Sequence, residues 1–126
     1  EKAGFEVCSV SEAARSSDIV MLATPDEIQS ELYTEHLQNN LKENSAIAFA
    51  HGLNIHFGLI EPRNDLDVFM IAPKGPGHLL RRTYEEGSGM PCLVAVEKDL
   101  NDFAMSFICL MYRDLDLPGL CTNVLI

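Results

Sequence analysis

Basic residues are scarce in this chain: Lys and Arg total 9 of 126 residues against 19 Asp and Glu, a formal charge of −10. A surface that acidic repels duplex nucleic acid and anionic lipid unless a local basic patch offsets it. The only adjacent basic pair is Arg81-Arg82, so nucleic-acid and membrane partners are not expected. Long apolar runs are missing too; none approaches the roughly 20 residues of a membrane-spanning helix. The opening Glu1-Lys2-Ala3-Gly4 lacks the apolar core of a secretory signal. Cysteines stand at 8, 92, 109 and 121 without a Cys-x-x-Cys pair. Reduced thiols in a cytosol-like compartment are the default for that pattern. Three of the four have apolar neighbours, where small buried cysteines are common. No histidines have His-x-x-x-His spacing. Asp114-Leu115-Asp116 has no evident third ligand, so a solvated helix end outweighs a metal site there. A Gly-x-Gly-x-x-Gly fingerprint is absent, and Gly75-Pro76-Gly77 does not replace it, because the fingerprint belongs in a first βα turn. No internal repeat, low-complexity tract or linker interrupts the chain.

What is present is ordinary globular material. Apolar residues make up 47% and charged residues 22%, which argues against disorder, and the length fits one domain. Phe5-Glu6-Val7 reads as the end of a strand. Ser9 or Ser11 is placed to cap a short helix through Glu12–Arg15. Asp18–Ala23 is an apolar run without alternation, the pattern of a strand buried on both faces of a parallel sheet. Thr24-Pro25-Asp26 ends it and starts a helix, with Ile28, Leu32 and Leu37 on one face and Tyr33 beside them. Ser45–Ala50 is a second strand, followed by His51-Gly52. Ile55-His56-Phe57 is a short apolar segment, and Glu61–Asn64 a turn. Leu66–Ala72 is a third strand, closed by Pro73-Lys74-Gly75-Pro76-Gly77. Leu79–Glu86 reads as a helix stopped by Gly87-Ser88-Gly89. Cys92–Val96 is a fourth strand. Asn101 or Asp102 caps a last helix to about Met111, with Phe103, Phe107 and Leu110 on one face. Residues from Leu115 to Ile126 show no clear period.

Alternating strands and helices predict an α/β fold, a Rossmann-like parallel sheet with helices on both faces. In such sheets, loops gather over a crevice at the carboxyl ends of the strands. Thr24-Pro25-Asp26, His51-Gly52 and Pro73–Gly77 follow three strands, so they are expected along one edge. An imidazole at His51 can exchange protons near neutral pH; the alternative is a histidine bonded to turn backbone. Lys74, between two prolines, is either an ammonium positioned for an anionic ligand or a solvated turn lysine. Gly77 permits close backbone approach. Asp26 and Gln29 have groups suited to sugar hydroxyls or an amide, although a capping Asp26 and a solvated Gln29 are the simpler expectation on spacing. His36, His56 and His78 are weaker candidates.

With these loops placed, the sequence resembles the ketol-acid reductoisomerase (acetohydroxy-acid isomeroreductase) family of branched-chain amino-acid synthesis. The matching blocks are Thr24–Gln29, Phe49–Phe57 and Ile71–His78, continued by Gly87–Pro91 and Ala95-Val96, over about residues 4 to 110. The resemblance implies that residues 1–126 are part of an N-terminal NADP-binding Rossmann domain, truncated before its first strand and glycine-rich turn. It implies His51 and Lys74 as catalytic residues. Asp26, Glu27, Ile28, Gln29 and Gly77 become cofactor contacts. NADP and magnesium are the implied cofactors, with the metal ligands beyond this chain. The implied reaction is magnesium-dependent alkyl migration in 2-acetolactate or 2-aceto-2-hydroxybutyrate, then NADPH reduction to a 2,3-dihydroxy acid. A homo-oligomeric full-length enzyme, in cytoplasm or an organelle matrix or stroma, goes with it. The chain alone is expected to lack turnover. The competing classes are a non-catalytic Rossmann-like binding or assembly module and, further off, a 6-phosphogluconate or 3-hydroxy-acid dehydrogenase. The latter families lack the Ala-Pro-Lys-x-Pro-Gly block.

Overall fold

The computed structural model describes residues 6–88, 90–100 and 102–113, with no side-chain description from 110 onward. A four-stranded sheet in the order β1-β2-β3-β4 organises the chain. Its strands are β1 (Ile19–Leu22), β2 (Ala46–Phe49), β3 (Asp67–Pro73) and β4 (Cys92–Lys98). β1 pairs parallel with β2, and β2 with β3, whereas β4 runs antiparallel to β3.

Alternation sends the two faces of the strands into separate cores. Ile47, Phe49 and Val68 pack with Ala14, Tyr33 and Leu37 from the helices on one face. Ala46, Ala48, Phe69 and Val94 pack with Ala104 and Ile108 on the other. Full burial of side chains such as Phe49, Phe69 and Ile47 contributes about 1.5–3 kcal/mol each. Every residue of β2 is buried, as its unbroken apolar run implies. β1 departs from that expectation: Met21 is 45% exposed, because β1 pairs only with β2 among the described residues.

The first helix, α1 (Val10–Ser16), is held by a capping box between Ser9 and Glu12. The Ser9 hydroxyl bonded to Glu12 holds that carboxyl below its ordinary range. Glu6 and Val7 belong to no strand, and Phe5 lies outside the described residues. The next helix, α2 (Asp26–Leu32), continues as a π-helix over Tyr33–Leu37, where Gln38 N–H donates to Tyr33 O at 2.8 Å. The buried face is therefore Gln29, Tyr33 and Leu37, and Ile28, expected inside, is 46% exposed. The Ile55-His56-Phe57 segment contributes to a single helical turn, α3 (Leu53–His56).

The fourth strand is the main correction to an all-parallel sheet. A parallel crossover needs a helix that packs back along the sheet. The helix α4 (Gly77–Glu85) buries no residue. The chain instead leaves and returns at one rim, and Lys74 N–H donates to Pro91 O at 2.9 Å where the two ends meet. A Cβ at Gly75 would lie 2.5 Å from Met90 Sδ, so a side chain there would displace the flexible end of Met90. Gly87, at φ +72°, stops α4 as expected, and Gly89 lies outside the described residues.

At the start of the last helix, α5 (Phe103–Arg113), Ser106 N–H donates to Asp102 O at 3.2 Å. The Asp99 carboxylate accepts from Ala104 and Met105 N–H, both at 3.1 Å. Asn101 lies outside the described residues. The inward residues of α5 are Ala104 and Ile108, whereas Phe103 is 39% exposed. Cys8 and Cys109 are exposed rather than buried, and neither forms a disulfide among the described residues. Cys121, Asp114, Asp116 and the stretch to Ile126 lie outside the described residues. Among those described, no helix is long and apolar enough to cross a membrane.

Candidate functional site at the carboxyl ends of the strands

Because β1, β2 and β3 are parallel neighbours, the segments after Leu22, Phe49 and Pro73 leave the sheet on one rim. Ala50 N–H donates to Leu22 O at 3.2 Å and holds the first two strand ends together. Asp26, His51 and Lys74 therefore stand on adjacent loops, as the segment order implies.

Asp26 is the first residue of α2, and His51 follows β2 directly. His51 Nδ1 lies 2.7 Å from Asp26 Oδ2. The His51 side chain is 62% exposed and that of Asp26 27%. The N-cap position of α2 is Pro25, and the Asp26 carboxylate beside it is directed to the imidazole. Lys74 is exposed, and among the described residues no ion pair engages its ammonium.

Gln29 is not the solvated residue its position suggests. It is 1% exposed, and its Nε2 donates to Thr24 O at 2.7 Å. Asn54, also 1% exposed, donates from Nδ2 to Gln29 Oε1 at 2.9 Å and to Asp26 O at 3.0 Å. Two buried amides thus tie the β1–α2 loop to α3. Sequence reasoning missed Asn54 as a partner of Gln29; its place in the His-Gly-x-Asn block was the available signal. Glu27 and Ile28 remain exposed on the first turn of α2, and nothing lies within 4 Å of where a Gly77 Cβ would stand.

Beside the rim, an open groove of about 320 Å³ begins at Gly52 and continues along Ile55, His56, Met70 and Ala95. Arg81 and Arg82, the only adjacent basic pair, bond at 2.7 and 2.8 Å to Glu85, the last residue of α4, and to Glu86 just after it. That pairing leaves no free basic patch on this helix. His36 lies by Ser11 and Glu35, away from the rim. Among the described residues, no group of three His, Cys, Asp or Glu side chains could hold a metal ion.

The family model described as acetohydroxy acid isomeroreductase, NADPH-binding domain, matches residues 1–113. The chain belongs to that family. Among solved structures, an NADH-preferring ketol-acid reductoisomerase from an uncultured archean superposes with a TM-score of 0.85 at 39% identity. That match covers 90% of this chain and 34% of the other. An NAD-binding semialdehyde dehydrogenase protein from Cupriavidus necator, solved with calcium and NAD, matches at TM-score 0.72 and 19% identity. It covers 99% of this chain and 48% of the other, and at that identity it speaks to the fold alone. The chain thus spans about a third of the reductoisomerase and about half of the dehydrogenase protein. For the isomeroreductase family these similarities establish a dinucleotide-binding, Rossmann-like domain as the frame on which the rim stands.

Proposed function

We propose that this chain is the nicotinamide-facing part of a ketol-acid reductoisomerase, converting 2-acetohydroxy acids to 2,3-dihydroxy acids with NADP(H) and magnesium. The observation that carries the reading is the rim itself. His51, steadied by a carboxylate 2.7 Å away, stands one strand from the exposed Lys74. In this reading His51 exchanges the proton that leaves the substrate hydroxyl as it becomes a carbonyl. Lys74 holds the substrate carboxylate, and its loop is stiffened by Pro73, Pro76 and the Lys74–Pro91 backbone bond.

The rim residues fit the nicotinamide end of a dinucleotide. Ile28 presents an apolar side chain to solvent beside polar Glu27, and Gly77 leaves room for close approach. Gln29 fits as support for that surface, since its amide is consumed inside the chain. Bound NADPH supplies the hydride that reduces the 2-keto product of alkyl migration. Among the described residues no group of three His, Cys, Asp or Glu side chains would hold magnesium, so in this reading its ligands come from beyond them.

The test is an assay of 2-acetolactate and 2-aceto-2-hydroxybutyrate with NADPH or NADH and Mg²⁺. It is run on residues 1–126 and on a longer polypeptide with a downstream helical domain. Dihydroxy acid from the longer protein and none from residues 1–126 is expected. Turnover by residues 1–126 alone overturns the partial-domain reading. NADPH binding without turnover in both makes the chain a binding module.

A further inference from the structure

Asp26 is assigned by resemblance to the cofactor, but the geometry points to a different task. We propose that Asp26 is a positioning residue for His51, fixing its tautomer so that Nε2 is the free base, and that the buried Gln29–Asn54 amide pair sets the spacing of the two loops. The inference rests on the reductoisomerase reading only for its kinetic consequence, not for the pairing itself.

Three observations lead there. The first is the contact: Asp26 Oδ2 lies 2.7 Å from His51 Nδ1. An ionised carboxylate only accepts hydrogen bonds, so Nδ1 must carry the hydrogen and the neutral ring must leave Nε2 unprotonated. The second is that the N-cap position of α2 is Pro25, while the Asp26 carboxylate, on the first helical residue, makes its hydrogen bond to the imidazole. A first-turn aspartate otherwise interacts with free helix N–H groups, so its orientation toward His51 forgoes that interaction. The third is the support beneath it. Asn54 Nδ2 bonds at once to Asp26 O and to Gln29 Oε1, and Gln29 Nε2 to Thr24 O. No buried side-chain nitrogen or oxygen among the described residues lacks a partner. These amides hold the backbone of Asp26 against α3, whose chain begins directly after His51-Gly52. The acceptor and the imidazole are thereby kept at bonding distance although both are partly open to water.

The geometry explains why Thr-Pro-Asp-x-x-Gln and His-Gly-x-Asn occur together. Asp26 pairs with His51, and Gln29 pairs with Asn54. Each block supplies one member of an exposed functional pair and one member of a buried bracing pair.

Protein labelled with ¹⁵N in its histidine rings tests the tautomer, using long-range ¹H–¹⁵N correlations in mildly alkaline solution and His51→Gln to assign the ring. Wild-type protein is expected to show the Nδ1–H form. Asp26→Asn and Asp26→Ala are expected to move the ring toward the Nε2–H form, with unchanged circular dichroism. An Nε2–H ring in wild-type protein, or an unchanged ring in both variants, overturns the proposal. In the full-length enzyme, Asp26→Asn is expected to lower kcat by about tenfold or more, with KM for the dinucleotide within about twofold. A rise of KM alone makes Asp26 a cofactor contact and overturns the positioning role. If the tautomer shifts as stated but no reductoisomerase activity exists in the wild type, the pairing stands and the function proposed above fails.

Discussion

The amino ends of β2 and β3 and the carboxyl ends of β1–β3 lie on opposite rims of one sheet, and they use polar residues differently. At the amino rim, Arg63 is bonded to the surrounding chain. Its guanidinium donates to Gln38 O, Leu41 O and Lys42 O, and meets Asp65 through both Nε and Nη2. Its own N–H reaches Tyr33 Oη at 3.0 Å, and Lys98 Nζ reaches its carbonyl. Buried Asp67 accepts from Leu100 N–H, tying β3 to the chain before α5. The carboxyl rim instead holds an imidazole that is 62% exposed, a free-standing lysine and an open glycine backbone. One rim uses its polar groups to close the fold, and the other leaves them available. The comparison predicts that substitutions on the two rims will separate stability from activity.

The largest separation belongs to His51→Gln. In the full-length enzyme it should lower kcat by about 100-fold or more, the scale of general acid–base catalysis. Its unfolding midpoint in urea should barely move, because an exposed side chain away from the core shifts stability by about 0.5 kcal/mol or less. A large fall in stability with activity retained would reverse the roles of the two rims.

Arg63→Ala should do the opposite. It strips partners from three carbonyls and from Asp65, and should cost about 2–3 kcal/mol in urea unfolding. The kinetics of the protein that stays folded should be near normal. Arg63 also shows how unevenly the structure was written in the sequence. The β2 run Ala46–Phe49 was legible because four consecutive apolar residues leave few alternatives. Glu61–Asn64 read only as a turn, because Arg63 bonds chiefly to backbone carbonyls, which no side-chain motif records. The direction of β4 was equally hidden: an apolar strand pattern is the same read parallel or antiparallel. Its orientation is decided by α4, whose failure to bury a residue is a tertiary fact. His51 was legible from its place after a strand. The burial of Gln29 was not, since its partner Asn54 stands 25 positions away.

Asn54→Ala tests where the two rims overlap in character. Asn54 sits beside the open rim but is buried and bonded like a residue of the closed one. Its removal leaves Gln29 Oε1 without its donor, which should cost about 1–2 kcal/mol. It should also loosen the Asp26–His51 spacing, so kcat should fall together with stability. A variant with lower stability and unchanged kcat would separate the brace from the pair.

The smallest expected effect is an acid limb of stability that belongs to the closed rim. The Arg63 hydrogen bonds to Asp65 hold the Asp65 carboxyl below its ordinary value, and the same contact raises Arg63 further above its own. In the folded chain Asp65 therefore keeps its charge at a pH where the unfolded chain has begun to take up a proton. Folding then favours the state with fewer bound protons, so this stabilisation is complete above the unfolded carboxyl range, about pH 4. It is lost as pH falls through the lower folded value. Asp65 is partly exposed, its side chain at 36%, so solvent and salt reduce the effect. Urea midpoints followed from about pH 5 to about pH 2 should fall less steeply in Asp65→Asn than in the wild type, and added salt should narrow the difference. Glu12 contributes a limb of the same sign through its bond to Ser9, so the wild-type slope alone assigns nothing. The difference between wild type and Asp65→Asn isolates the Arg63 contact. Parallel slopes would mean that Asp65 adds nothing to the closed rim and that the backbone carbonyls account for all that Arg63 does there.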